Sequence, residues 1–515
     1  MIAISRHWPL IITIIILWLT VALLLAVSMK QNHGHLIYAF DDPYIHMAMA
    51  KNFAQHGVWG ISRYEFSSSS SSLLWTLMLS IVYFLFGVNE LTPLILNILF
   101  ATATVVFFSR ILNRFSPTSP AVQTLGLIGI LFLTPLPALV LTGQEHVLHT
   151  LITVLFAYLS ARALSQERPS VSASISLSLL ALAPLVTLIR YEGLFLVFVV
   201  CLLFILRNQW GYSFAMGMMA VVPLAIYGAI SKSNGWFWLP NSILLKSDLA
   251  SLTSAQEVLR FLVQSSYKQL FLTPHVFFLT IAALILYVLQ YDKEKGFWEG
   301  SQIITVIYIA TSVLHLLLAK TGWFCRYDAY LVALGLFVVI IKSARYLPSL
   351  CNHFTQGGQR VILSRKFIPK YGAWAILTLF LTLPFIARGI GGLVLIPQAM
   401  TNIYEQPYQM GLFLKRFYKG VGVAANDIGA INYLADINCL DLWGIGSREV
   451  ARMKKEGNYY QKERIYDLTK TKGMKSPLSM TTGLEVQYPR SGSRLESGRS
   501  LIISFVQVIR FHSMQ

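Results

Sequence analysis

Long apolar runs separated by short polar breaks occupy the first three quarters of the chain. The first, Pro9 to about Met29, has about 20 residues, enough to cross the hydrocarbon core of a bilayer. A cleaved signal peptide would carry a shorter apolar stretch and a small-residue cleavage site, so this run reads as a retained first helix. Further runs lie near 73–87, 91–109, 121–141, 146–164, 171–189, 193–206, 212–230, 270–290, 301–319, 328–341 and 371–388. From about residue 395 the pattern turns polar, and no run of spanning length follows. The pattern predicts a mainly α fold: a polytopic membrane helical bundle over residues 1–394, then a smaller domain over 395–475.

Composition narrows the class. Charged residues make up 12% of the 515 positions and hydrophobic ones 55%, with a mean hydropathy of +0.59. Soluble domains carry about 25% charge, and disorder requires low hydrophobicity, so both are excluded. The net charge of +18 would suit a nucleic-acid binder only if its basic residues shared one wet surface. Here they stand singly between apolar runs, so membrane lipids rather than nucleic acid are the expected surroundings. The 4 cysteines lie far apart without a CxxC pair, which gives no disulfide framework or zinc site.

The run Leu73 to Gly87 decides the topology, because it is shorter than a normal span. If it crosses, the basic stretch Lys342, Arg345, Arg360, Arg365, Lys366 and Lys370 falls outside, with Arg110/Arg114 and Arg162/Arg168. If it stays at the outer surface as a re-entrant or juxtamembrane helix, these stretches, Arg207 and Lys293/Lys295 become cytoplasmic, as the positive-inside rule asks. The second arrangement has about eleven spans, the N-terminus inside and the C-terminal domain outside. It also gathers the unusual polar motifs on one face.

Those motifs carry the candidate chemistry. Asp41-Asp42-Pro43 opens a helix predicted to run to about His56, with Asp42 as N-cap and Gly57 as stop. A cap uses one carboxylate and leaves the other available as a general base beside the membrane. Ser67 to Ser72 is most simply a flexible polar loop, or else a row of hydroxyls lining a sugar site. Glu145, in Thr142-Gly-Gln-Glu145-His146, must face water or a partner, since an unpaired buried carboxylate is expensive. Arg190-Tyr-Glu192-Gly193 joins two apolar runs; Arg190 and Glu192 either pair with neighbours or hold a phosphate. Pro240-Asn241 followed by Lys246 reads as a turn presenting a cation, and Arg326-Tyr327-Asp328 opens another span. Acids and the cations Arg190, Lys246 and Arg326 at one end of an apolar bundle suit an anionic group on a lipid tail.

Taken in order, Asp41-Asp42-Pro-Tyr-Ile, the serine run into Leu74-Trp75-Thr76, Thr142-Gly-Gln-Glu145, Arg190-Tyr-Glu-Gly, Leu239-Pro240-Asn241 and Arg326-Tyr327 resemble the GT-C glycosyltransferases. The likeness is to the bacterial branch of cell-wall arabinofuranosyltransferases and, more distantly, to protein O-mannosyltransferases and lipid A aminoarabinose transferases. It runs from the first span to about Ala451. The resemblance implies an inner-membrane enzyme with a polyprenyl-phosphate sugar donor and a glycan, lipid or protein hydroxyl as acceptor on the extracytoplasmic face. It also implies Asp41 or Asp42 as base, with Asp41 preferred, and Glu145 as a second outer-loop acid. Arg190, Glu192, Asn241, Lys246, Arg326 and Tyr327 are the expected substrate-binding set. No ligand set requires a divalent metal, although the chemistry would accept one. Pro43 and Tyr191 depart from the branch's commonest pattern, which leaves the acceptor open.

Within the outer domain, 421–426 and 438–442 read as short strands and 427–435 as a helix capped by Asp427, a small α/β unit. Its plainer role is lid or scaffold; the sharper one is acceptor recognition. After residue 475 the pattern fails, and 476–515 reads as a disordered or frameshifted tail that resequencing the locus would resolve. The rival reading of the whole chain is a transporter or flippase of lipid-linked sugars, which would need polar groups along a path through the bilayer.

Overall fold

A computed structural model describes residues 2–115, 120–166, 173–245, 273–291, 296–343, 367–457, 462–472 and 476–477. The chain is mostly helical. Six of the described helices are long and apolar enough to cross a membrane: His7–Gln31, Thr92–Arg114, His146–Leu164, Trp210–Ser233, Gly300–Leu318 and Leu383–Phe417. Shorter apolar helices, among them Ser174–Ile189, Gly193–Leu206, Pro274–Leu289 and Ala329–Ser343, pack between them. The most enclosed of the long ones is His146–Leu164, with 72% of its apolar window buried. It is the central post against which Thr92–Phe115, Ala173–Ile189, Gly300–Leu318 and Ala329–Ser343 pack.

Two elements outside the long helices shape the site. Helix α1 (Ile2–Gln31) leads into α2 (Asp42–His56), which is not a surface helix: Tyr44, Met47, Ala48, Met49 and Ala50 are fully buried. Asp42 is the first residue inside this helix and Asp41 occupies the cap position without a side-chain capping bond, so the expected Asp42 cap is one residue off. Gly57 ends the helix with φ 69°, as the sequence suggested. Next, α3 (Leu73–Phe86) is a 14-residue helix, about 21 Å long and short of a bilayer core. It buries Trp75, Thr76, Leu79 and Tyr83 against the protein and leaves Ile81, Phe84 and Phe86 exposed on the other side.

Beyond the bundle, the helix Phe367–Ile403 runs unbroken across residue 395 and continues through a π-helical turn, Tyr404–Tyr408, into Gln409–Phe417. The boundary expected at 394/395 is therefore a change of composition without a break in the helix. Strands β1 (Gly422–Ala425), β2 (Asn438–Asp441) and β3 (Ser476–Pro477) form a parallel sheet in the order β2-β1-β3. The helix Gly429–Leu434 provides the crossover between β1 and β2, as parallel neighbours require. Residues 478–515, most of the suspected tail, lie outside the described residues.

Candidate functional site

The adjacent acids Asp41 and Asp42 point to different tasks. Both Asp41 oxygens are taken by the C-terminal unit: Gly429 N–H donates to Oδ2 at 2.6 Å and Ala430 N–H to Oδ1 at 2.7 Å. Asp41 thus caps the helix Gly429–Leu434 from 388 residues away, the role expected of Asp427. The approach is close because residue 429 is glycine. A Cβ there would stand 2.1 Å from the Asp41 carbonyl oxygen. Desolvation, and then the charge of Asp427, push the Asp41 carboxyl above the ordinary carboxylate range, against the pull of the two amides. Asp427 is raised as well, by burial and then by Asp42.

Asp42 turns the other way. Its Oδ2 accepts a 2.7 Å bond from Arg326 Nη2, and its side chain is 31% exposed while that of Arg326 is 2% exposed. The Arg326 guanidinium also donates through Nη1 to Gln144 Oε1 and through Nη2 to Tyr327 Oη at 3.3 Å. It lies over the Phe40 ring at 4.4 Å, and its Nε is buried without a hydrogen-bond partner among the described residues. Gln144 is presented by the turn before His146, where Gly143 has φ 68° and a Cβ would meet the Tyr38 ring at 2.5 Å. That explains the glycine in Thr142-Gly-Gln-Glu.

Glu145, fully buried, accepts Arg190 Nη1 at 2.8 Å. Arg190 is held on its other side by Glu192, through Nη2 to Oε1 at 2.6 Å and Nε to Oε2 at 3.2 Å. Burial alone would raise Glu192, but the paired guanidinium holds it down at about 2. Of the alternatives weighed for Arg190 and Glu192, pairing with neighbours is the one observed, and Arg190 is fully engaged by two carboxylates. The second Glu145 oxygen, Oε2, is buried without a hydrogen-bond partner among the described residues, and His46 Nε2 stands 3.8 Å from it. Tyr327 lies under both arginines, 5.2 Å from the Arg190 guanidinium and 5.0 Å from that of Arg326.

The serine run is no flexible loop. Ser67 to Ser70 and Ser72 are buried, and their bonds knit four elements together. Ser68 meets Tyr227 Oη at 2.9 Å, Ser69 donates to Ile445 O, Ser70 meets Thr76 and His46, and Ser72 caps α3 by accepting from Trp75 N–H. Asn241 joins this strap: its N–H donates to Ser68 O and its Nδ2 to Gly444 O, each through a buried contact. Its Oδ1 is buried without a partner among the described residues. Lys246 lies outside the described residues.

The structure thus brings together Asp42, Arg326, Tyr327, Arg190, Glu145 and Glu192, with Asp41 and Asn241 serving contacts to the C-terminal unit. Sequence reasoning assigned no role to Gln144 or His46. It also missed the buried knot in which Asp328 accepts from Arg388 at 3.1 Å and meets His275 at 2.6 Å. Arg388 ties this knot to Cys325 O, at the base of the Arg326 loop. An arginine inside an apolar run was the available signal for Arg388. Among the described residues, no group of three or more His, Cys, Asp or Glu side chains is arranged to hold a metal ion.

Residues 401–482 match a family model described as a domain of unknown function (DUF8728). That stretch takes in the π turn, the helix Gln409–Phe417 and the parallel sheet. No curated protein matches the chain.

Proposed function

We propose that the chain is a membrane glycosyltransferase of the GT-C type. It would move a single sugar from a polyprenyl-phosphate donor to a hydroxyl of a cell-envelope glycan, lipid or protein at the extracytoplasmic face. About eleven spans, a cytoplasmic N-terminus and an outer α/β unit belong to the same reading. The observation that carries it is the pairing of a half-exposed acid, Asp42, with a buried guanidinium, Arg326, at the end of the apolar bundle.

Charge arithmetic gives this pair its mechanism. Arg190 already faces two carboxylates, so it stabilises Glu145 and Glu192 and is a positioning residue. Arg326 faces one. A donor phosphate competes with Asp42 for Arg326, and transfer of that guanidinium to the phosphate releases Asp42 to act as base. This moves the base assignment from Asp41, whose two oxygens are committed to the C-terminal unit, to its neighbour. The acceptor oxygen then bonds to the anomeric carbon as the carbon–oxygen bond to phosphate breaks. Its proton passes to Asp42 and the polyprenyl phosphate leaves on the opposite face, which inverts the anomeric centre. Lys246 is the further cation this reading assigns to the phosphate. Purified protein given a panel of synthetic polyprenyl-phosphate sugars should transfer one of them; no turnover of any member with envelope acceptors would reject the reading.

A further inference from the structure

At the opposite end of the bundle lies a cavity of about 300 Å³, at the lower edge of small-molecule pocket sizes. Four helices connect it to the carboxylate site. Thr92–Phe115, His146–Leu164 and Ala329–Ser343 reach it by their C-terminal ends and Gly300–Leu318 by its N-terminal end. His146–Leu164 has 19 residues, so the two sites stand about 27 Å apart. Nothing in the proposed transfer reaction uses this second cavity.

Its lining is cationic. Arg114, Arg162 and Lys342 face Glu299, the acid among the described lining residues. Lys342 is 3% exposed and donates to Gln302 Oε1 at 3.0 Å. The Gln302 amide supplies a dipole of the kind that a lysine so deeply placed in an apolar bundle needs. Arg114 and Arg162 are exposed at the rim, and Arg114 makes a 3.4 Å contact with Tyr158 Oη. The Ser301 hydroxyl is buried at the cavity without a partner among the described residues. Favourable ends of three helices account for cations at this level. They do not account for a cavity, a buried ammonium and an unsatisfied hydroxyl in one place.

We infer that this cavity is an anion site for a phosphate group, with Arg114 and Arg162 at its mouth and Lys342 and Ser301 at its floor. Phosphate matches the donors present: guanidinium forks, an ammonium and a hydroxyl. The group is carried by a phospholipid of the adjoining leaflet or is free in solution. Basic pockets between membrane helices favour lipid headgroups. Under the topology proposed above, the leaflet is the cytoplasmic one.

The test measures binding and leaves glycosyl transfer aside, so failure of the transfer reading would not affect it. Full-length protein, stripped of lipid in detergent, is offered phosphatidylglycerol and inorganic phosphate separately. Retained lipid is read by native mass spectrometry and phosphate binding by thermal shift. The double variant Arg114→Gln/Arg162→Gln removes rim cations without touching the buried floor, and Lys342→Met tests the floor. Arg452→Gln, an exposed cation of the C-terminal unit, controls for general charge. Affinity should fall about tenfold or more in the double variant and stay unchanged in the control. Loss for phosphatidylglycerol alone identifies a lipid headgroup, and loss for inorganic phosphate identifies a soluble source. Equal binding of both probes by wild type and double variant, or an equal loss in Arg452→Gln, would overturn the inference.

Discussion

Gly429→Ala isolates the contact between the bundle and the C-terminal unit without changing a charge. The added Cβ would lie 2.1 Å from the Asp41 carbonyl oxygen and 2.8 Å from Asp41 Oδ1. The first of these is backbone and cannot rotate away, so the helix Gly429–Leu434 must retreat by about an ångström or more for ordinary contact. That movement breaks both amide bonds to Asp41, now 2.6 and 2.7 Å. Hydrogen bonds to a carboxyl contribute about 1–3 kcal/mol each, so docking should weaken by about 2–6 kcal/mol. Even the lower figure is a rise of about thirtyfold in the undocked population. Hydrogen exchange at the amides of β1, β2 and the crossover helix should accelerate accordingly, while the amides of His146–Leu164 stay protected. Unchanged exchange in the C-terminal unit would refute the claim that Asp41 clamps it.

Other consequences follow from the same contacts. Arg190→Leu leaves Glu145 and Glu192 facing each other without their cation. Loss of one partner in such a buried set costs about 3–5 kcal/mol, so Tm in detergent should drop well below that of Glu192→Gln, and equal Tm values would contradict the pairing. The clamp is also pH-dependent. Asp41 and Asp427 are both raised in the docked state, so docking takes up protons: it is firmest at low pH and weakens as pH rises past the ordinary carboxylate range. Limited proteolysis of the C-terminal unit should quicken between about pH 5 and about pH 8, and a flat profile would rule this out. Arg388→Leu takes the guanidinium from the buried Asp328 and from Cys325 O and should loosen the Arg326 loop, measured as faster exchange at 320–328; unaltered exchange there would show that the knot does not hold the loop.

Much of the bundle is legible in the sequence because lipid imposes a coarse rule: each apolar run must become a helix with its backbone bonds satisfied internally. The stop at Gly57 and the short strands 422–425 and 438–441 are equally local, set by one glycine and by two brief apolar runs. The failures share a different cause. Ser67 to Ser72 reads as loop by composition, yet its hydroxyls find partners on Tyr227, Ile445, His46 and Thr76, none of which is adjacent in sequence. Asp427 sits where a cap should be, but Asp41 takes that role from the other end of the chain. For Arg190 the sequence left pairing and phosphate binding both open, since the spacing to Glu192 was visible and the approach of Glu145 was not. Contacts with residues elsewhere in the chain decided each of these, and periodicity carries no record of them.

Transfer by two single variants tests the central claim most directly. Asp42→Asn and Asp41→Asn are compared with wild type, using the polyprenyl-phosphate sugar that wild type turns over and measuring both donor binding and product. The account predicts that Asp42→Asn abolishes product while donor binding persists, and that Asp41→Asn retains the chemistry with a loosened C-terminal unit. Normal turnover by Asp42→Asn would contradict it.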